Sequence, residues 1–563
     1  MQKRFLSLMA AAFIAVILFS SCSKDNKQGR YVPATAAMVL HLNGESLNEK
    51  LPWEEVKQNG MFAQISADTS IPAFAKSILE NPENSGINMK GDMVIFMVKD
   101  SAGGYAGIEG FIKDEAKFKT MLTNANKNAK ESIKDGYTYF ADEKASIGYN
   151  KERFIVTINV PQLNMMNKMA AGKLPTDSSF GGSEEVKYDR DMNVITASMF
   201  ALKANESLAE NEKFTDLVKT KGDVHFWYNA QYFDVAGSMG PMGAMVNTKK
   251  LTDGAIFAGT VNFDNGKINL DGKSYANKEV MDIYKKYATD GFDKSMIKNI
   301  PSQNLAGMMI MNFKAEGIRE IMKLLGVDGL LNMATANMGF TMDDIVKAGK
   351  GDMMFAVTDI STDTAATEKA RFIFSAAVGD KASMNKLIDA GKKAAPMMGM
   401  NDSSRGNTSL SYNMNDKYFV WSNNKTATDA YLAGAANTSY SFVDKISGGS
   451  FGGFVNFQYI MNAMKPAPTA DSLSLAAFDA SVKMFDNMLL SGGNVKGGAI
   501  TQHWEINLVD KNTNSLKQLN KFAGTMALIQ DKKKKKNEAT WAAEDLQNFP
   551  APIAPIDSMS EEK

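Results

Sequence analysis

Lys90-Gly91-Asp92-Met93-Val94-Ile95-Phe96-Met97-Val98 returns later in the chain as Lys350-Gly351-Asp352-Met353-Met354-Phe355-Ala356-Val357. In both places a Lys-Gly-Asp-Met step leads into an unbroken apolar run, the length and composition of a buried strand. A second strand and then a helix follow each run. Asp114 and Asp380 open these helices, because an aspartate carboxylate accepts one of the backbone N–H groups a helix start leaves unpaired. Phe118, Met121 and Leu122 fall at i, i+3 and i+4 on the first helix, and Met384, Leu387 and Ile388 do so on the second. Each set is one apolar stripe.

A second device appears four times. Met38 to Asn43, Val224 to Asn229, Met308 to Asn312 and Phe454 to Asn456 are short apolar strands ending in Asn, and a helical pattern starts at each Asn. After Asn312 the stripe Ile318, Ile321, Met322, Leu325 is stopped by Gly326. Ile268-Asn269-Leu270 also returns as Ile506-Asn507-Leu508, each the second arm of a hairpin; Asn265-Gly266 is the turn of the first. In chain order Asn43, Gly91, Asn229 and Ile268 match Asn312, Gly351, Asn456 and Ile506. The order is kept while the spacing drifts, as in an old tandem duplication with loop insertions. The expected class is α+β: two tandem, internally duplicated domains, 30–297 and 298–530, with largely antiparallel sheets and helices packed on one face of each.

The chain has 563 residues, 63 Lys+Arg against 63 Asp+Glu, one Cys and three His. That length holds more than one domain. The neutral balance argues against nucleic acid as a partner. One Cys excludes a disulfide framework and any multi-Cys zinc site.

Lys3 and Arg4 precede an apolar stretch from Phe5 to Leu18, too short for a membrane span and suited to a secretory signal. The stretch ends Phe19-Ser20-Ser21-Cys22 and resembles a bacterial lipoprotein signal, with Phe19 where Leu is usual. The resemblance implies cleavage after residue 21 and acylation of Cys22, with palmitate-type chains, as the membrane anchor. Residues 22–29 then form the tether. Ser23-Lys24-Asp25-Asn26 is similar to short signals that send Bacteroidetes-type lipoproteins to the cell surface, and reads equally as a solvated tether. Triplets starting at Asp100, Asp363, Asp471 and Asp557 resemble the O-glycosylation sequon of the same bacteria. Lys532 to Lys536 is expected to close the last helix, so that 531–563 is a polybasic helix end and a disordered, proline-bearing tail.

Together, the Cys22 signal, Tyr31-Val32-Pro33-Ala34-Thr35-Ala36 before the first strand, the strand-to-Asn-to-helix step and the Lys-Gly-Asp-Met strand resemble a family of large Bacteroidetes-type outer-membrane lipoproteins known only as a domain of unknown function. The resemblance implies an outer-membrane, lipid-anchored protein, on either the surface or the periplasmic side. It implies no known activity and no catalytic residues.

The residues themselves offer little chemistry. Gly448-Gly449-Ser450-Phe451-Gly452 fits G-x-S-x-G, but a nucleophile elbow needs a strand before the Ser and a helix after it, and here a loop precedes and a strand follows. His41 and His225 lie two and four residues before their Asn residues, an even spacing that puts each imidazole on the same strand face as its Asn and lets the two meet. A metal site would need a further ligand, and His503 falls in the other repeat. Asp510, Asn512 and Asn514 begin like a calcium loop, but Ser515 and Lys521 stand where Gly and Glu are required, so the segment reads as a turn and cap. Met239, Met242 and Met245 form a Met-x-x-Met-x-x-Met run, and Met397, Met398 and Met400 a second cluster. Thioethers suit Cu(I) and equally suit cores and adaptable surfaces. The expectation is therefore no cofactor, no catalysis and a binding or scaffolding role towards an envelope or extracellular protein or glycan partner. The alternatives are an envelope hydrolase with an unlocated active site and a Met-based Cu(I) protein.

Overall fold

The computed structural model describes residues 28–62, 73–100, 103–125, 130–141, 145–160, 190–233, 246–362, 369–394, 410–434, 436, 438–466 and 471–547. Cys22, Met239, Met242, Met245, the second methionine cluster, and Asp363 and Asp557 of the triplets lie outside them. Eighteen strands among these residues form one sheet. They are β1 Met38–Leu42, β2 Met93–Val98, β3 Tyr105–Phe111, β4 Lys130–Lys134, β5 Tyr137–Ala141, β6 Ala145–Tyr149, β7 Arg153–Asn159, β8 Val224–Asn229, β9 Ile256–Asp264 and β10 Lys267–Tyr275, then β11 Leu305–Asn312, β12 Gly349–Thr358, β13 Arg371–Val378, β14 Ser411–Met414, β15 Tyr418–Ser422, β16 Phe451–Asn456, β17 Phe485–Lys496 and β18 Ala499–Leu508.

Every pairing is antiparallel, and β10 lies beside β18 with Ile268 opposite Ile506. Outward from this seam one half runs β10, β9, β8, β1, β2, β3, β7, β6, β5, β4. The other runs β18, β17, β16, β11, β12, β13, β15, β14. The same order of events (hairpin, Asn-ended strand, Asn-ended strand, Gly-Asp strand) is met in both directions. The duplication is therefore built into the sheet as two arms joined back to back. The two Ile-Asn-Leu triplets, on β10 and β18, are direct neighbours across the join.

The Gly-Asp steps differ in detail. In the first copy Gly91 precedes β2, and a Cβ there would meet the Phe111 ring at 2.9 Å. In the second, Gly351 lies inside β12 at φ +109°, where the register with β13 shifts between Gly349 and Met353. Glycine carries that bulge without steric cost.

Helices layer on both faces of the sheet. On the first face Val39, Phe96, Ile155 and Trp227 form a core with Met199 of Met192–Phe200 and Phe214 of Glu212–Lys219. Ile310, Met354, Ile373 and Val420 do the same in the other half with Ile297, Tyr431 and Ile446. On the second face Leu42 and Met93 pack against Leu47, Leu51, Val56 and Leu516, and Phe154 packs against Phe118 and Leu122. Strands supply an apolar side chain to alternate faces, and a strand apolar on both needs cover on both.

The Asn caps hold at three of the four sites. Asn43, Asn229 and Asn456 accept from the backbone N–H of Ser46, Gln231 and Tyr459. Asn312, the clearest in sequence, caps nothing. Phe313 bridges to Ala288 first, and the helix Ala315–Leu324 starts after Lys314 with no side-chain cap. Asp114 and Asp380 accept from Lys117 and Ser383 as expected. The last helix differs from expectation. It runs Ser515–Gln547, so Lys532 to Lys536 lies within it and the boundary at 531 cuts a continuous helix. Alanines and glutamates after Lys536 are good helix formers and carry it onward.

Candidate functional site

His41 and His225 are opposite each other on β1 and β8, and both are buried. Their Nδ1 atoms are 2.9 Å apart. His225 Nε2 lies 2.7 Å from the Thr220 carbonyl oxygen, so it donates there. Its Nδ1 must then accept from His41. On its far side His41 Nε2 lies 3.3 Å from Asp92 Oδ2, which also accepts from Gln28 Nε2 at 2.6 Å. His41 Nε2 faces the Asp92 carboxylate without a hydrogen bond to it. Burial lowers the pKa of His225, partly offset by its bond to Thr220, and this opposes a second proton. The even spacing predicted that the imidazoles would meet; it did not show that Asp92 of the Gly-Asp step faces one of them.

Beside this chain Glu109 of β3 forms a buried ion pair with Arg153 of β7. Burial pushes the Glu109 carboxyl up, and Arg153 pulls it back down. Phe111 stacks under the guanidinium, its ring centre 4.4 Å from Cζ. These groups face the interior and each other. They read as a buried polar core in which His41 Nε2, Glu109 Oε2 and Arg153 Nη2 keep no hydrogen-bond partner, and among the described residues no group of three or more His, Cys, Asp or Glu could hold a metal.

Ser450 is 4% exposed, and its Oγ lies 3.1 Å from Tyr284 Oη. Among the described residues no hydrogen bond joins it to an imidazole or a carboxylate. His503 instead pairs with Asp271 across the seam, Nδ1 to Oδ1 at 2.8 Å. The G-x-S-x-G segment is a strand lead-in without nucleophile geometry. Asp510 accepts from the N–H groups of Asn512 and Thr513, and Asn514 from Leu516, so that segment is a turn and cap.

What the sheet does present is an open apolar face. At the seam β10 alternates Lys267, Asn269, Asp271, Lys273 on the first face with Ile268, Leu270, Gly272, Ser274 on the second. Lys267 pairs with Glu505 at 2.8 Å on the first, solvated side. On the second, Leu270 begins a row that passes through the register to Trp504, Leu490, Gly453, Met309, Phe355, Phe374, Trp421 and Tyr412. The other way it passes to Val261, Val224, Leu42 and Met93. The neighbouring row includes Leu40, Phe226, Phe451 and Met311. No charged side chain falls in either row from β2 to β15. Helices cover Leu42 and Met93, but Met38, Leu40, Met309, Phe355 and Tyr412 stay 38–46% exposed. Between them Leu270, Trp504 and Leu490 at the seam are only partly exposed; exposed apolar side chains gathered on one face mark interaction sites. The sequence carried the signal in the alternation of β10, and only the register joined that strand to the rest.

A duplicated α+β chain, its two arms fused into one antiparallel sheet with an open apolar face, is the class of protein these features define. The chain belongs to the family described as Domain of unknown function (DUF4836), whose model matches residues 30–173 and 193–431. No curated protein matches the chain. Among solved structures it is similar to TP0453. Crystal form I is 9% identical, with 46% of this chain and 80% of that chain covered and a TM-score of 0.25. Crystal form IV is also 9% identical, with 47% and 87% covered and the same TM-score. That likeness is too slight to carry an argument.

Proposed function

We propose that the protein is a cell-envelope lipoprotein, held to the outer membrane by acyl chains on Cys22, that acts as a non-catalytic binding or scaffolding module through the second face of its sheet. The exposed apolar side chains on either side of the seam, Met38 and Leu40 on β1 and Met309 and Phe355 on β11 and β12, carry this reading, because solvated apolar surface costs about 25 cal/mol per Å² and is kept where a partner covers it. The lone Cys at the end of the signal supports the anchor. No helix among the described residues is long and apolar enough to cross a membrane, so the acyl chains would supply the attachment. The test is a pull-down from native membranes with the parent chain and with Leu40→Glu and Met309→Glu. The expected result is a reproducible partner, protein, glycan or lipid, that both substitutions lose. Recovery of the same material by all three chains would remove the face from the reading. Protease treatment of intact and lysed cells then separates surface display from a periplasmic orientation.

A further inference from the structure

Resting on the reading of Cys22 as the acylated anchor, we propose that the first-face side of the first arm, where residues 28–34 lie against 202–214, is the surface that rests on the bilayer, so that the open second face is turned to the aqueous compartment and takes its partner from there.

Cys22 and Gln28 are six residues apart. Six residues reach about 20 Å when fully extended, and a flexible chain of that length averages about 13 Å end to end. That reach starts at Gln28, because the chain is fastened there. Gln28 Nε2 donates to Asp92 Oδ2 at 2.6 Å. Ser207 Oγ lies 2.9 and 2.8 Å from the carbonyl oxygens of Gly29 and Arg30. Arg30 Nη2 donates to the Leu202 carbonyl at 2.7 Å. The N–H groups of Ala34 and Leu208 donate to the carbonyls of Glu206 and Val32, each at 2.8 Å. Gly29 sits so close to Phe214 that a Cβ there would meet the ring at 2.7 Å.

These contacts all lie on the first face. Asp92 faces His41, which shares a strand face with the core residue Val39 two positions before it. Tyr31 packs on Phe200 with ring centres 5.4 Å apart, and Phe214 belongs to the other first-face helix, Glu212–Lys219. The anchor therefore leaves the molecule on the side opposite the open face.

The distances disfavour the reverse posture. Met309 on β11 and Phe355 on β12 lie about 40 Å from β2 along the sheet, at about 4.8 Å per strand. They reach the bilayer only if the second face lies flat on it. The sheet and the helices that cover Leu42 and Met93 would then stand between Gln28 and the membrane. Two such layers, each about 10 Å thick, consume the full extension of the tether.

The proposed surface suits head groups without entering the hydrocarbon. Between 202 and 214, Lys203, Asn205, Glu206, Glu210 and Glu212 are exposed, polar and of both signs. There is neither an apolar stripe to insert nor a basic excess to draw this side onto anionic lipid, so the short tether sets the posture.

The experiment uses the full acylated chain on phosphatidylethanolamine–phosphatidylglycerol vesicles that contain a head-group spin-labelled lipid as contact quencher. Cys22 is the only cysteine, so once it is acylated an introduced cysteine is the only free thiol. Ala204→Cys and Phe355→Cys, both at exposed positions, are each labelled with a fluorophore. The label at 204 is expected to lose most of its emission on the vesicles and the label at 355 to keep it. A Gly-Ser insertion of about twenty residues after Asn26 is expected to restore the emission at 204, because a chain of that length averages about 28 Å. Stronger quenching at 355, equal quenching at both positions, or no quenching at either on chain that floats with the vesicles overturns the proposal. So does quenching at 204 that survives the insertion, which would make surface adhesion the cause. If mass spectrometry finds Cys22 unacylated and the chain does not float, the anchor reading itself fails and the posture fails with it.

Discussion

At the scale of single residues, the buried polar groups of the first arm are where change costs most. Arg153→Met leaves Glu109 buried without its partner, and breaking such a pair costs about 3–5 kcal/mol. Urea unfolding is expected to show that loss, and Glu109→Gln in the same background to return part of it. If Arg153→Met alone is neutral, the pair is not held as described. His225 gives the pH dependence. Its folded-state pKa lies below the ordinary value near 6.5, so the unfolded chain takes up the proton first. Its contribution is therefore present above about pH 6.5 and lost as pH falls from there through the folded pKa. Glu109, pushed up by burial, works in the opposite sense. Comparing the parent with His225→Gln isolates the histidine: between pH 7.5 and 5 the variant's Tm is expected to fall less. Equal falls would mean His225 does not titrate on unfolding. The meeting of the two imidazoles was legible from even spacing. Asp92 and Glu109 were not, because a carboxylate that completes a buried network carries no local pattern.

At the scale of elements, the strand-to-helix step was legible because an Asn cap is a local device. Asn43, Asn229 and Asn456 satisfy backbone N–H groups within three residues. Asn456→Ala is expected to cost about 1 kcal/mol and to speed amide exchange in Phe457–Ala463. Asn312→Ala should leave exchange in Ala315–Leu324 unchanged, since Lys314 stands at that helix start. The misreading at Asn312 has a tertiary cause: the Phe313–Ala288 bridge extends the strand by one more pair before the helix can begin. Asp223 shows the reverse, a residue with no motif that ties elements together. It accepts from Lys50 Nζ at 2.7 Å and from the Phe263 N–H at 2.6 Å, fastening the helix Gly44–Lys50 to β9.

At the scale of the whole molecule, the seam decides what the duplication makes. Two domains each with its own sheet would leave β10 and β18 as edges, and edges are open to unwanted pairing. Pairing them with each other removes both. Hydrogen exchange is expected to protect the amides of 267–275 and 499–508 as strongly as those of the central strands β1 and β11. Rapid exchange at the seam, with slow exchange elsewhere, would mean the arms are independent. The sequence by itself determined the α+β class, the antiparallel hairpins, the order of the repeated landmarks and most helix starts. All of these rest on contacts between residues a few positions apart: a two-residue period, a cap, a turn. Only the tertiary structure decided that the copies share one sheet, that helices lie on both its faces, and that Leu270, Trp504, Met309 and Phe355 form one open row. Register between strands hundreds of residues apart is set by the packing of whole faces, and no short stretch of sequence contains it.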